Sequence, residues 1–308
     1  MNRRTFARWD VAAISRIGTA IFVVASLVPF AHADELCRPG YHYVEDIHGH
    51  GCRRYTLGDE FVPDGLWKTF YDASGGDGGL FTEGRWLDGK REGLWKTYFP
   101  GGQRKEEATY RGGRKDGPWK VWSRRGKLLA EGAYKAGLRF GPWREWHANG
   151  KPKSEATYAS AGKLSGVSKD WHENGVLAAE THWRNGVQEG TATTYSPAAV
   201  QLSVAEYAQG EKNGVERQWH APGELKEEVH YRAGKREGKR TVWYRDGVPK
   251  FEGTYRDGRL EGEAKFWDLA GELRYILLYR GGIMAQILDG ELHYRQDAFQ
   301  NRLITVAP

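Results

Sequence analysis

Cys37 and Cys52 bracket His42, His48 and His50, a set that could hold a metal ion or close a disulfide. The spacing fits no standard zinc pattern. Two cysteines in an oxidising compartment fit one disulfide instead, which would close a loop of roughly 15 residues and stabilise by about 3 kcal/mol. A second set is His147, His172 and His220, each directly after an aromatic residue. Three histidines at one repeated position could line up as a metal or glycan row, but the plainer expectation is polar residues at exposed strand ends. WHENG (residues 171–175) holds His and Glu on the approach to a turn, not as H-E-x-x-H. No Gly-rich phosphate loop opens a helix, and no G-x-S-x-G elbow occurs. These residues therefore assign no catalytic, cofactor or metal role, and the chain is expected not to be an enzyme.

Lysine and glutamate recur together, and their recurrence exposes the elements that carry them. GPW stands at residues 117–119 and again at 141–143. Around it runs a longer frame: Gly, one residue, Trp, two residues, an aromatic, three residues, Gly, four residues, Glu, two residues, an aromatic, two residues, Gly. It opens at Gly65, Gly93, Gly117, Gly141, Gly166, Gly190, Gly214, Gly238 and Gly262, stepping by 24 or 25 residues after Gly93. Runs rich in Trp, Tyr, Val and Thr are separated by PGG, RRG, ANG, ENG and RDG, which are hairpin signals. The expected fold is all-β, an elongated single-layer antiparallel meander of about nine 24-residue, two-strand repeats. A solenoid-like array of this kind grows without enlarging one core.

Turn placement sets the register. With a two-residue turn at Asn149-Gly150, Arg144 falls opposite Glu155. The same count pairs Lys96 with Glu107, Lys120 with Glu131, Lys169 with Glu180, and Arg217 with Glu228. The sixth repeat has neither partner, since Thr193 would face Val204, and such joint loss is what a cross-strand pair predicts. Alternation then divides the aromatics. Trp67, Trp95, Trp119 and Trp143, with Tyr110, Tyr134 and Tyr158, form a structural spine whose tryptophans are expected to cover the frame glycines. Tyr98, Trp122, Trp146, Trp171, Trp219, Trp243 and Trp267 fall on the other face beside the charged pairs. Some of those rings are expected to be exposed, which makes that face the candidate binding face.

At the N-terminus, GTAIFVVASLVPFAHA (residues 18–33) follows arginines and ends in a small-residue pattern, as a cleaved secretory signal does. NRRTFAR (residues 2–8) resembles a twin-arginine signal. The expected organisation is a signal peptide over 1–33, a Cys-containing cap over 34–64, the repeat array over 65–282 and a C-terminal capping segment over 283–308. The leader holds four arginines against one aspartate, half of the formal charge of +6. What remains mixes both signs and lacks the concentrated basic face of a nucleic-acid binder.

DGPWKVWSRRGKLLAEGAYKAG and DGVPKFEGTYRDGRLEG resemble the variant MORN (membrane occupation and recognition nexus) repeat, over roughly residues 65 to 282. It is the form found in bacterial proteins labelled as antitoxins. The resemblance implies a curved antiparallel array used for binding or scaffolding, with no cofactor. Ser168, Ala192, Glu216, Arg240 and Ala264 replace the first Trp in later repeats. The leading expectation is a periplasmic or secreted, non-enzymatic scaffold for a protein partner. Binding of a glycan or peptidoglycan by the aromatic rows is the alternative, and antitoxin-type neutralisation of a toxin is a third. Neither a nucleic acid nor a transmembrane segment after cleavage is expected.

Overall fold

The computed structural model describes residues 42–46, 49–55, 61–71, 78–289, 294–296 and 303–305. The expected leader, Cys37 and His48 lie outside these residues. Within them one antiparallel sheet of 21 strands runs from His42–Asp46 to Ile283–Asp289. Each strand pairs with the next along the chain, first at the N-terminal end and last at the C-terminal end. A single 3-10 turn, Ser160–Gly162, is the one helical segment among the described residues. It sits where the spacing of turn glycines slips to 12 residues. Tyr294–Gln296 and Leu303–Thr305 pair with each other in a separate two-stranded sheet. No helix among the described residues is long and apolar enough to cross a membrane.

Two kinds of turn alternate, and the local sequence decides which forms. Along one edge both turn residues take positive φ, as at Ala136 (50°) with Gly137 (88°) and Asp257 (51°) with Gly258 (81°). These are two-residue turns of the primed kind, whose twist matches the strands. Along the other edge, apart from Gly101-Gly102 where both are positive, the last turn residue alone is left-handed, as at Gly126 (75°), Gly150 (90°), Gly247 (84°), and once Ala199 (62°). The expected two-residue turn at Asn149-Gly150 is therefore corrected. One positive φ cannot build that turn, and Ala148, Asn149 and Gly150 form a three-residue loop closed by a 2.9 Å bond from His147 N to Lys151 O. Trp146 then faces Pro152, Lys153 drops out of the pairing, and Glu145 faces Ser154. The two shifts cancel, so Arg144 still stands opposite Glu155.

The frame glycines also do something other than expected. All take positive φ, from 69° at Gly93 to 129° at Gly117. They form bulges that advance the pairing, as when Tyr110 faces Lys115 but Ala108 faces Trp119. The spine tryptophans do not cover them. A Cβ built on Gly93 or Gly141 would meet nothing within 4 Å, whereas one on Gly84 would lie 2.2 Å from the Trp95 ring and one on Gly132 2.5 Å from Trp143. Each indole lies over a small residue of the preceding hairpin, so the glycine that matters for packing is the one after the frame glutamate.

Most of the buried residues share that spine face, among them Trp67, Trp95, Ala108, Trp143, Ala205, Val229, Phe251, Ala264 and Leu277. Cys52 is also buried, beneath Gly65, whose Cβ would touch its sulfur at 3.3 Å. Cys52 is therefore enclosed, and the expected disulfide with Cys37 predicts that native protein isolated from an oxidising compartment resists alkylation. Mass spectrometry after iodoacetamide checks this: no adduct before reduction and two after it.

Candidate binding faces

The charged residues do not stop at pairs. Lys68, Glu83, Lys96, Glu107, Lys120, Glu131, Arg144, Glu155, Lys169 and Glu180 stand on successive strands, each opposite the next. At about 4.8 Å per strand this ladder of alternating sign runs for about 43 Å. Ion pairs close within it: Lys120–Glu131 at 3.6 Å, Arg144–Glu155 at 3.2 Å and Lys169–Glu180 at 3.3 Å. Lys96 faces Glu107 but bonds Glu83 at 3.4 Å, while Arg104 takes Glu107 at 2.9 Å. A cation with a carboxylate on both sides can serve either, so the row and not the pair is the unit. The row breaks where Thr193 faces Val204, and resumes with Arg217–Glu228 at 2.7 Å.

Beside the ladder, the rings of Tyr98, Trp122, Trp146, Trp171, Trp219, Trp243 and Trp267 are all half-buried, and none is fully exposed. Tyr98 donates its hydroxyl to Glu83 Oε1 at 2.6 Å. That bond, more than the nearby Lys96 charge, holds the Glu83 carboxyl below its usual range. Burial and the same carboxylate push the Tyr98 hydroxyl up to about 12. The apolar exposure on this face lies elsewhere. The residue after each early frame glycine, Leu66, Leu94, Pro118, Pro142 and Val167, is exposed, Leu66 to 76%. Pro118, Ala133 and Pro142 line a hollow of about 230 Å³ with Lys120, Glu131 and Arg144. The recurrence of an apolar residue directly after the glycine was the available signal.

On the spine face, Trp119 stacks on Trp143 with centroids 4.9 Å apart. Tyr134 meets both rings edge-on, and Trp143 meets Tyr158 the same way. Sequence patterning overlooked the cations laid over this spine. Arg91 sits 4.6 Å from the Trp95 centroid, Lys115 5.5 Å from Trp119 and Arg139 4.2 Å from Trp143. All three stand two residues before a frame glycine, as do Lys212 over Tyr231 and Arg236 over Tyr255. Lys115 Nζ and Trp119 Nε1 donate to Glu106 Oε1 at 2.5 and 2.6 Å. Burial alone would raise the Glu106 carboxyl, but these bonds, with the charges of Lys115 and Arg91, hold it below its ordinary range. A lowered folded-state value adds stability above the ordinary carboxylate range, and that stability is lost as pH falls through it. Glu106→Gln is therefore expected to lower the urea midpoint at neutral pH, with the gap to the parent closing as the medium is acidified.

Where spine tryptophans are missing, the same face is rebuilt from other parts. Glu216, buried, takes Lys212 Nζ at 2.7 Å, Arg240 Nε bonds Glu227 at 2.7 Å, and Ala264 is fully covered. The acid before the frame glycine has a second overlooked role. Glu92, Glu189, Glu237 and Glu261 each accept a backbone N–H from the turn 20 residues on.

The three histidines are corrected in the same sense. They are half-buried ties rather than free strand-end polar groups: Nε2 of His147, His172 and His220 lies 2.8, 2.9 and 3.1 Å from the carbonyl oxygens of Trp171, Tyr195 and Trp243. A carbonyl only accepts, so Nε2 carries the proton and is closed to a metal. No group of three potential ligands gathers among the described residues.

A family model described as the MORN repeat variant matches residues 91–111, 141–160, 164–185 and 236–257. No curated protein matches the chain. Among solved structures, one described as the crystal structure of TcdB2-TccC3-TEV is 11% identical, with a TM-score of 0.18. The likeness covers 75% of this chain and 17% of that one, so this chain spans under a fifth of its length.

Proposed function

We propose, for a chain carrying variant MORN repeats, that it is an exported, non-enzymatic scaffold binding a protein partner along its ladder face. The observation that carries this reading is the coincidence of two rows on one face. Charges of alternating sign run across ten strands, flanked by the exposed apolar row Leu66, Leu94, Pro118, Pro142 and Val167. Apolar anchors rimmed by charge are the composition of a protein interface. Exposed ion pairs in such a row stabilise the fold by no more than about 1 kcal/mol each. Their regular sign alternation instead suits the discrimination of one partner from another. The half-buried aromatic row supports the glycan alternative less, because a sugar stacks on an open ring face.

The test is capture of envelope and extracellular proteins on the immobilised mature chain, beside co-sedimentation with cell-wall polysaccharide. Reversing Lys120→Glu together with Arg144→Glu is expected to abolish capture of a specific protein while leaving circular dichroism unchanged. Sedimentation with polysaccharide that survives the reversal and is lost in Trp122→Ala would replace this reading with the glycan one.

A further inference from the structure

After the turns along this edge one residue of the next strand drops out of the pairing, and in the last three of these hairpins that residue is a cation. Trp219 faces Leu225 and Gln218 faces Glu227, which leaves out Lys226; the same step leaves out Lys250 and Arg274. The three are exposed and stand 24 residues apart. Cavities alternate with them. One of about 420 Å³ lies between Lys226 and Lys250, walled by Trp243, Tyr244 and Leu269. The next, of about 600 Å³, lies between Lys250 and Arg274, walled by Val242, Phe251, Phe266 and Tyr275. Arg240 borders the larger one in the position where earlier repeats place an indole, so no spine ring fills it.

The charges at this row are unequal. Arg240 is held by Glu227 at 2.7 Å, and Arg274 by Asp268 and Glu272, at 2.6 and 3.0 Å. Lys226 and Lys250 have no carboxylate within ion-pair distance among the described residues, and Lys250 rests 5.3 Å from the Tyr244 ring centroid. Asp246 on the smaller cavity accepts the N–H of Val248 at 3.1 Å. The row therefore offers two uncommitted cations and two apolar, aromatic hollows, all repeating at the same pitch.

That pitch is two strands, about 9.5 Å. A polyproline II chain advances about 9.3 Å per three-residue turn, so its side chains three apart point the same way at the same pitch. A β-strand, with its two-residue period, does not match. We propose that this row binds an acidic segment of a partner protein in the polyproline II conformation. An apolar or aromatic side chain at every third position enters the cavities, and carboxylates between them meet Lys226 and Lys250. The walls of Val242, Phe251, Phe266 and Leu269 favour such side chains over the hydroxylated rings of an acidic polysaccharide. Neither cavity is lined by a residue of the charged ladder, so the two proposals stand or fall independently.

Fluorescence anisotropy of the full mature chain tests it, with a labelled peptide repeating Pro-Glu-Phe. The expected result is saturable binding that weakens by about tenfold or more in Lys250→Glu and is unchanged in the ladder variant Lys120→Glu. A peptide of equal composition but scrambled period should bind about tenfold more weakly. Equal binding of the two peptides, or indifference to Lys250→Glu with the fold intact, overturns the proposal. Stronger binding of hyaluronan fragments than of the peptide, lost in the same variant, assigns the row to an acidic polysaccharide instead.

Discussion

Trp143→Ala is expected to cost about 3–5 kcal/mol, the largest loss of any single substitution in this chain. The indole is 3% exposed and presses on Gly132, where even a Cβ would collide at 2.5 Å. It stacks on Trp119 at 4.9 Å, meets Tyr134 at 5.2 Å and Tyr158 at 6.0 Å edge-on, and carries Arg139 above it at 4.2 Å. Its Nε1 donates to the Ala133 carbonyl at 3.1 Å, which the truncation leaves unmet. A repeat array adds a further consequence. Each hairpin contacts only its neighbours, so a gap at one junction uncouples the repeats before it from those after it. The urea transition should therefore broaden or split rather than shift as a whole. Trp122→Ala, at a half-buried ring on the ladder face, is the control and should cost about 1 kcal/mol. A larger loss at Trp122 than at Trp143 would show that the core lies on the other face.

How far this arrangement could be read from residues alone depended on whether a feature repeats or compensates. The hairpins, the opposition of Lys120 to Glu131 and the division of aromatics between faces were legible, because strand alternation and a fixed period fix them together. The turn at Asn149-Gly150 was misread and the register survived only because the bulge at Lys153 restores the count. Alternation cannot reveal such a bulge, since a loop one residue longer followed by one skipped residue leaves the pattern unchanged. The frame glycines were recognisable as special, but not why. Positive φ and close cover by an indole both demand glycine, and only the backbone angles separate them. The cations at Arg91, Lys115 and Arg139 were legible as a recurrence and were overlooked because lysine and arginine read as solvent-exposed by default. The spine tryptophans end at Trp143, yet ring contacts return on that face: they stop at Tyr158 and begin again with Phe251 and Phe266, 5.2 Å apart. Between them Glu216 is buried at an indole position and takes Lys212 Nζ at 2.7 Å.

Removing residues 283–308 is expected to turn a monomer into a self-associating chain, whereas removing 290–308 is not. The difference lies in which strand becomes the edge. Ile283–Asp289 is the last strand of the main sheet, paired to Leu273–Arg280 through Leu277 with Ile287 and Tyr279 with Met284. Its loss would bare a row of N–H and C=O groups along LRYILLYR, whose five central residues carry neither charge nor proline. It would also expose Leu277, which is 5% exposed in the intact sheet and lies opposite the fully covered Ala264. The existing edge is better defended, ending at Asp289, and the following strands Tyr294–Gln296 and Leu303–Thr305 bond each other rather than the edge. Burying an apolar side chain such as Leu277 against a second copy recovers about 1.5–3 kcal/mol per chain, and strand pairing directs where that copy sits. Light scattering after size exclusion separates the outcomes. The longer deletion should elute as dimers or larger species at micromolar concentration, and the shorter one as a monomer with an unchanged urea midpoint. If removing 290–308 alone produces self-association, the edge of Ile283–Asp289 depends on the tail for cover. If neither deletion does, the edge of Leu273–Arg280 is protected by its own twist.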